Sequence, residues 1–168
     1  MAIKYVKGDA TDPQGAGNKF IVHCCNDVGA WGSGFVMALS KKWRAPEQCY
    51  RAWFDHGDLE PFALGNIQTV LVESGFEKDA DEKDIPIHTY VINCIAQRGI
   101  GMQSDGIPLR YDALETCLTK VAKVVRETGN ASIVGPRFGA GLAGGSWTKI
   151  EEIINRVCDG INVVIYDL

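Results

Sequence analysis

The stretch FIVHCCNDVGAWGSGF at positions 20–35 decides the fold of this chain. A second stretch, SIVGPRFGAGLAGG at positions 132–145, is built in the same way. Each begins with an apolar run typical of a buried strand, continues into a glycine-rich turn and leads into a segment with helical periodicity. Glycine lets the backbone approach a ligand closely, and the first turn of a helix offers N–H groups without intrahelical partners. The two turns together predict a diphosphate held from both sides.

The overall charge argues against a site built from basic side chains. The chain has 168 residues, with 17 Lys and Arg against 21 Asp and Glu, and a formal net charge of −4. It contains no block of basic residues, so general nucleic-acid binding is not expected. Any phosphate would therefore be bound by backbone amides.

No apolar run is long enough to cross a membrane, and the amino terminus lacks the pattern of a signal peptide. We therefore expect a cytoplasmic protein with one domain, residues 1–168, and no membrane partner. The six cysteines follow no zinc-binding spacing, and the three histidines are scattered. This pattern favours buried, reduced thiols and predicts neither a metal nor a cofactor.

Short β-branched segments predict six strands, several of them apolar at consecutive residues. The predicted strands are residues 3–6, 20–25, 67–72, 90–96, 132–134 and 163–166. Apolar residues at helical spacing lie between them, most clearly at 114–125 and 150–157. This alternation predicts an α/β fold, a three-layer α/β/α sandwich around a mixed, largely parallel sheet.

Local signals refine this organisation. Thr148 followed by Glu151 predicts a capping box at the start of the last helix, and Pro46 predicts the start of an earlier one. The charged stretch 77–84 and the glycine-containing stretch 99–108 are predicted to be loops. Ligands of open α/β sheets bind outside the carboxyl ends of the strands, so both glycine turns and Gln97 are expected at one edge.

Four short motifs, taken in order, resemble those of the macrodomain family, an α/β/α module that binds ADP-ribose. KGDAT at positions 7–11 is similar to the family's Gly-Asp-Ile/Leu-Thr motif, and VHCCN at 22–26 stands in place of its Val-Asn-Ala-Ala-Asn motif. WGSG at 31–34 and PRFGAGLAG at 136–144 resemble its two glycine loops. The resemblance covers nearly the whole chain.

One branch of that family is closer still. The signatures WGSGF and GLAGG-x-W are similar to those of ADP-ribose 1''-phosphate phosphatases and of macrodomains like the terminal ADP-ribose glycohydrolase. Gln97 and Ala143 stand where those glycohydrolases have a lysine and an aspartate. Phe35 and Val36 stand where hydrolases acting on acidic side chains have an aspartate. The resemblance therefore favours the phosphatase over either hydrolase.

The resemblance also implies a set of site residues. Asp9 would contact the adenine amino group, the two loops would hold the pyrophosphate, and Trp31 is expected at the mouth of the pocket. The implied ADP-ribose-binding residues are Gly8, Asp9, Ala10, Gly29, Trp31, Gly32, Ser33, Gly34, Phe35, Gln97, Arg137, Phe138, Gly139, Ala140, Gly141, Leu142, Ala143 and Gly144.

The predicted catalytic residues are His23, Asn26 and Asp27. Asn26 and Asp27 would orient the distal ribose and a water molecule, or would close the strand as Asx-turn residues. His23 is either an acid–base group or a satisfied core residue. Similar alternatives apply to Asp9, which could brace its own turn, and to Arg137, which either supports the phosphate loop or forms a surface ion pair.

These residues together predict the hydrolysis of ADP-ribose 1''-phosphate to ADP-ribose and phosphate. The first alternative is a non-catalytic module that binds free or protein-linked ADP-ribose. The second is a hydrolase of O-acetyl-ADP-ribose or of ADP-ribosylated macromolecules. The expected partner in each case is ADP-ribose or one of its derivatives.

Overall fold

The computed structural model describes residues 3–168. In chain order the elements are β1 (Lys4–Lys7), β2 (Asn18–Asn26), α1 (Phe35–Lys42), α2 (Ala45–His56), β3 (Ile67–Lys78), β4 (Asp84–Gln97), α3 (Tyr111–Thr128), β5 (Ala131–Gly135), α4 (Trp147–Val157) and β6 (Asn162–Asp167). Each predicted strand overlaps an observed one. Within this described range, no helix combines the length and the apolarity needed to cross a bilayer.

The strands form one sheet in the order β1-β6-β5-β2-β4-β3. The pairs β1–β6, β6–β5, β5–β2 and β2–β4 are parallel. The edge strand β3 runs antiparallel to β4. The prediction of a mixed, largely parallel sheet is therefore confirmed.

The sheet separates two apolar cores. Helices α3 and α4 cover one face, where Leu118 and Ile150 pack with Val22 of β2. Helices α1 and α2 cover the other face, where Leu39 and Trp53 pack with Ile21. Neighbouring residues of β2 thus belong to different cores, as the alternation of side chains along a strand requires. This arrangement confirms the three layers.

The β3–β4 hairpin extends further than the sequence predicts. The stretch 77–84 was expected to be a loop, but Glu77 and Lys78 pair with Ile85 and Asp84 across the ladder. Lys78 Nζ lies 2.7 Å from Asp84 Oδ1. Opposite charges directly across a strand pair stabilise it, so a charged stretch here continues the sheet.

The predicted capping box in α4 is wrong. The helix begins at Trp147 after Ser146, whose backbone is extended with φ −80° and ψ 119°. Thr148 therefore lies inside the first turn and does not cap it. In contrast, α2 begins at Ala45 and contains Pro46 in its first turn, as predicted.

The cysteines are all free thiols, four buried and two, Cys24 and Cys49, half-buried. Burial raises the pKa of Cys25 well above its usual value and that of Cys158 to about 11. These thiols are therefore protonated and poorly nucleophilic near neutral pH.

One close contact between strands can be tested directly. A Cβ on Gly135, the last residue of β5, would lie 2.7 Å from the carbonyl oxygen of Val22 on β2. Because backbone cannot move aside at low cost, Gly135→Ala should lower the free energy of unfolding by about 1–3 kcal/mol in chemical denaturation. Gly75→Ala in β3 is the matched control, since nothing lies within 4 Å of its Cβ position. Equal stability of the two variants would contradict this account of the β2–β5 contact.

Candidate functional site

A cavity of about 890 Å³ opens at the edge of the sheet where β2, β4 and β5 end. These strands are parallel, so their carboxyl ends meet at this edge. Three segments surround the cavity: the first loop (residues 27–34), the second loop (136–146) and the third loop (98–110). The sequence placed both glycine turns at this edge, and the structure brings them together around one space.

Most of the predicted site residues line this cavity. They are His23, Asn26, Trp31, Gly32, Ser33, Gly34, Phe35, Gln97, Arg137, Phe138, Gly139, Gly141, Leu142 and Ala143. The predicted residues outside its lining are Gly8, Asp9, Ala10, Asp27, Gly29, Ala140 and Gly144. The lining residues outside the predicted site set are Cys24, Cys25, Ala30, Val36, Ile100, Gly101 and Pro136.

The side chain of Asn26 holds the first loop from inside. Its Oδ1 accepts the backbone N–H groups of Val28 and Ala30 at 3.1 and 3.0 Å, and its Nδ2 donates to the Ala30 carbonyl at 2.8 Å. The Tyr50 hydroxyl lies 2.6 Å from the Asn26 carbonyl oxygen and 2.8 Å from Oδ1. Asn26 is only 8% exposed. These contacts favour the Asx-turn alternative, in which Asn26 shapes the loop.

Trp31 lies in the cavity wall and not at its mouth. It is 5% exposed, and its Nε1 donates to Ser40 Oγ at 2.8 Å. Ser40 in turn donates to Glu47 Oε1 at 3.0 Å. The indole also packs against Tyr50 at a centroid distance of 5.3 Å. A residue flanked by small neighbours in the sequence therefore anchors the loop to α1 and α2.

Asp27 joins the first loop to the third. Its Oδ1 accepts the backbone N–H of Gly99 at 2.7 Å, and its own N–H donates to the Gln97 carbonyl at 2.9 Å. Ile100 and Gly101, which follow directly, line the cavity. The sequence identified this stretch only as a loop. The rule that ligands lie beyond strand ends could have assigned it to the site, because it follows β4 directly.

The second loop is tied to the last strand through Arg137. Its guanidinium bonds both carboxylate oxygens of Asp167, with Nε–Oδ1 at 2.9 Å and Nη2–Oδ2 at 3.1 Å. It also lies over the rings of Tyr5 and Trp147, at 5.0 and 5.6 Å from their centroids. The ion pair lowers the pKa of Asp167. Of the two sequence-based alternatives for Arg137, the ion pair is present, and it also holds the start of the loop.

Several backbone N–H groups at the cavity are left without a protein acceptor. In the second loop, the N–H groups of Ala140, Gly144 and Gly145 bond to carbonyl oxygens of the same loop. Others that line the cavity find no acceptor among residues 3–168. They include the N–H groups of Gly32, Ser33 and Gly34 in the first loop and of Gly141, Leu142 and Ala143 in the second.

His23 is held in a buried network of amides. It is 2% exposed, and its Nε2 lies 2.6 Å from Asn93 Oδ1. Its ring packs edge-on against Trp31 at a centroid distance of 5.4 Å and at 5.9 Å against Phe35. Burial lowers the pKa of His23 to about 4, although the Asn93 bond opposes this shift. The imidazole is therefore neutral near pH 7, which favours the core-residue alternative over acid–base chemistry.

The predicted adenine residue braces its own turn. Asp9 Oδ1 accepts the backbone N–H and the hydroxyl of Thr11, both at 2.8 Å. These bonds lower the pKa of Asp9, so the carboxylate is ionised near neutral pH. Asp9 is exposed, and next to it Gly8 donates its N–H to the Asp167 carbonyl at 2.8 Å. The bracing alternative is therefore present, while the adenine contact remains a prediction.

The donor set of the cavity is neutral. Among residues 3–168, no group of three or more His, Cys, Asp or Glu side chains is arranged to hold a metal ion. Arg137, the one charged side chain that the described part of the chain contributes to the lining, is paired with Asp167. The chemistry that this arrangement offers is therefore hydrogen-bond donation from two opposed stretches of backbone.

The comparison with known proteins identifies the family. No family model matches the sequence. The solved structure of a macrodomain protein from Streptomyces coelicolor is 40% identical, with 99% of each chain covered and a TM-score of 0.79. The structure of a protein of unknown function from Bacteroides thetaiotaomicron is 46% identical and covers 100% of this chain and 99% of that one, with a TM-score of 0.86. The chain belongs to the macrodomain family.

Two curated relatives extend this comparison. Chromodomain-helicase-DNA-binding protein 1-like from Danio rerio is 33% identical over 158 residues, which are 92% of this chain. The chain spans only 14% of the length of that protein. A protein from Aspergillus oryzae named ADP-ribose 1''-phosphate phosphatase is 23% identical over 192 residues, covering 98% of this chain and 92% of that protein.

The role of Asn26 in shaping the first loop can be tested. Asn26→Ala removes the acceptor for two backbone N–H groups and the donor to the Ala30 carbonyl. We expect faster amide hydrogen exchange at Val28 and Ala30, whose N–H groups lose their acceptor, and a loss of about 1–3 kcal/mol in unfolding free energy. Asn162→Ala, at an exposed position of β6, is the control and should change neither. Unchanged exchange in the first loop of Asn26→Ala would refute this role.

Proposed function

We propose that this protein binds ADP-ribose in the cavity between the first and second loops. The proposal depends on one observation: both loops contribute residues to the same cavity whose N–H groups have no acceptor among the described residues. Backbone N–H groups in glycine-rich turns and at helix N-termini are suited to phosphate oxygens. Two opposed sets match a pyrophosphate, which has acceptor oxygens on both sides.

The dimensions and charge of the site support this ligand. A volume of about 890 Å³ lies within the range of roughly 300–1,000 Å³ typical of small-molecule sites. The chain has a net charge of −4, and Arg137 is paired with Asp167, so positive side chains provide little attraction for an anionic ligand. Recognition by amides suits this background because it needs no free positive side chain.

The roles that the family resemblance implies for the predicted residues support one orientation of the ligand. The carboxylate of Asp9, at the amino-terminal side of the fold, would accept a hydrogen bond from the adenine amino group. The distal ribose would then lie toward the end of β2, near His23 and Asn26. The name of the Aspergillus oryzae relative, ADP-ribose 1''-phosphate phosphatase, supports a ligand of this class.

Filling the cavity from either side should block binding. Gly32 and Gly141 line it from opposite loops, and nothing lies within 4 Å of a Cβ built on either. Gly32→Val and Gly141→Val should therefore fold normally, yet each should weaken ADP-ribose binding at least about tenfold in calorimetry. The reason is that the added side chain occupies the space proposed for the ligand.

Gly75→Val is the matched control for these two variants. Gly75 lies in β3, away from the cavity lining, and its Cβ position is equally open. It should bind ADP-ribose as the wild type does. If Gly32→Val and Gly141→Val also bound with wild-type affinity, the ligand would not lie between the two loops.

A second candidate function is hydrolysis of ADP-ribose 1''-phosphate, favoured by the relative that carries this activity in its name. Water would attack the phosphorus atom, and the bond from phosphorus to the 1'' oxygen would break. The products would be ADP-ribose and inorganic phosphate. Backbone N–H groups of the first loop would stabilise the charge on the transferred phosphoryl group, with Asn26 and Asp27 keeping that loop and its neighbour in place.

Phosphate release from ADP-ribose 1''-phosphate separates this reaction from binding alone. We expect turnover by the wild type and its loss in Asn26→Ala, because the first loop loses its internal support. A drop of about 100-fold or more in kcat for His23→Ala would indicate proton transfer by His23, whereas a change of about tenfold or less would fit a binding role. Binding of ADP-ribose without any turnover would instead support a non-catalytic reader of the free or protein-linked ligand.

A further inference from the structure

The hydrogen bonds around His23 determine which of its ring nitrogens carries the proton. The Nδ2 of Asn93 donates to Gln68 Oε1 at 3.0 Å and to the Pro46 carbonyl at 3.2 Å. Gln68 Nε2 donates in turn to the Cys49 carbonyl at 2.9 Å, so its Oε1 is an acceptor. Asn93 Oδ1 is therefore the acceptor of its bond to His23. It follows that His23 Nε2 carries the proton and that Nδ1 carries a lone pair.

The hydrogen bonds of Asn93 and Gln68 end at backbone carbonyl groups, which can only accept hydrogen bonds. The Pro46 and Cys49 carbonyls, both in α2, are acceptors only. Turning the Asn93 amide over would place its oxygen against the Pro46 carbonyl, where two acceptors would repel each other. The tautomer of His23 is thus fixed by α2 through β3 and β4.

The Nδ1 lone pair has no well-directed donor within the described part of the chain. The nearest partner is the thiol of Cys25, whose Sγ lies 3.8 Å from Nδ1 and 3.7 Å from Nε2. A sulfur almost equidistant from both nitrogens does not lie along the lone pair of Nδ1, which points outward in the ring plane. The thiol is a weak donor, and His23 as a whole is only 2% exposed, so a stronger partner for Nδ1 would have to come from the cavity that His23 lines.

We infer that His23 is a specificity-determining residue that uses Nδ1 to accept a hydrogen bond from a hydroxyl group of the bound ligand. His23 lines the cavity, and its Nε2 edge is covered by Asn93. The inference rests on the proposed function, which places the distal ribose of ADP-ribose at this end. It assigns His23 a role distinct from both sequence-based alternatives, since the residue is neither an acid–base catalyst nor merely a core side chain.

Nitrogen NMR of the wild-type protein tests the tautomer without any variant. The protein has three histidines, so His56→Gln and His88→Gln variants suffice to assign the His23 signals. We expect the Nε2–H form of His23, unchanged between about pH 5.5 and pH 8. Addition of ADP-ribose should shift the Nδ1 resonance in the direction of a hydrogen-bonded acceptor. An Nδ1–H tautomer, or no Nδ1 shift at ligand saturation, would overturn the inference.

Ligand analogues test the partner hydroxyl. We expect His23→Phe to weaken ADP-ribose binding about threefold to tenfold. One of the two analogues, 2''-deoxy or 3''-deoxy ADP-ribose, lacks the hydroxyl that donates to His23. The variant and the wild type should bind that analogue equally well, since its hydrogen bond to His23 is already missing. An equal loss for all three ligands would show a structural effect only and would contradict the inference.

His56→Phe, at the exposed carboxyl end of α2, is the control and should bind all three ligands as the wild type does. Failure of the wild type to bind ADP-ribose would refute the proposed function itself, and the inference with it. Wild-type binding with no dependence on His23 would refute the inference alone.

Discussion

The side chain of Asn26 is the contact on which the site depends. Cavity-lining residues of the first loop have N–H groups without an acceptor among residues 3–168, so other bonds have to set the shape of this loop. Asn26 supplies these bonds from the end of β2, and the hydroxyl of Tyr50 in α2 donates a hydrogen bond to the Asn26 carbonyl. The unpaired donors can then remain available because the loop no longer depends on them for its conformation.

Much of this architecture was readable from the sequence. Short β-branched runs, several of them apolar at consecutive residues, predicted the strands, and period-3.6 patterns predicted the helices. Glycine turns after two of these runs predicted opposed donor loops. The positions of Gly32 and Gly141 on the same cavity are the geometric result of parallel strands ending at one edge. Here local pattern and global topology agree, which is why the prediction succeeded.

The remaining details depended on contacts between distant residues. Nothing near Trp31 in the sequence indicates that its indole donates to Ser40, which in turn donates to Glu47, so an indole between small residues suggested exposure. The pairing of Arg137 with Asp167 joins residues 30 positions apart. The hairpin beyond Glu77 extends because charges align across the ladder, a register that composition alone does not give. His23 is the clearest case, since Asn93 and Gln68 on other strands determine which of its ring nitrogens carries the proton.

The two donor loops are attached to different halves of the molecule. The first leads into α1, above the core that Leu39 and Trp53 share, and the second leads into α4, above the core containing Leu118 and Ile150. A molecule held by both loops would act as a noncovalent cross-link between these halves. Its binding energy would then oppose the separation of α1 and α2 from α3 and α4. A bound ligand would therefore stabilise the whole three-layer domain, not only the loops at one edge of the sheet.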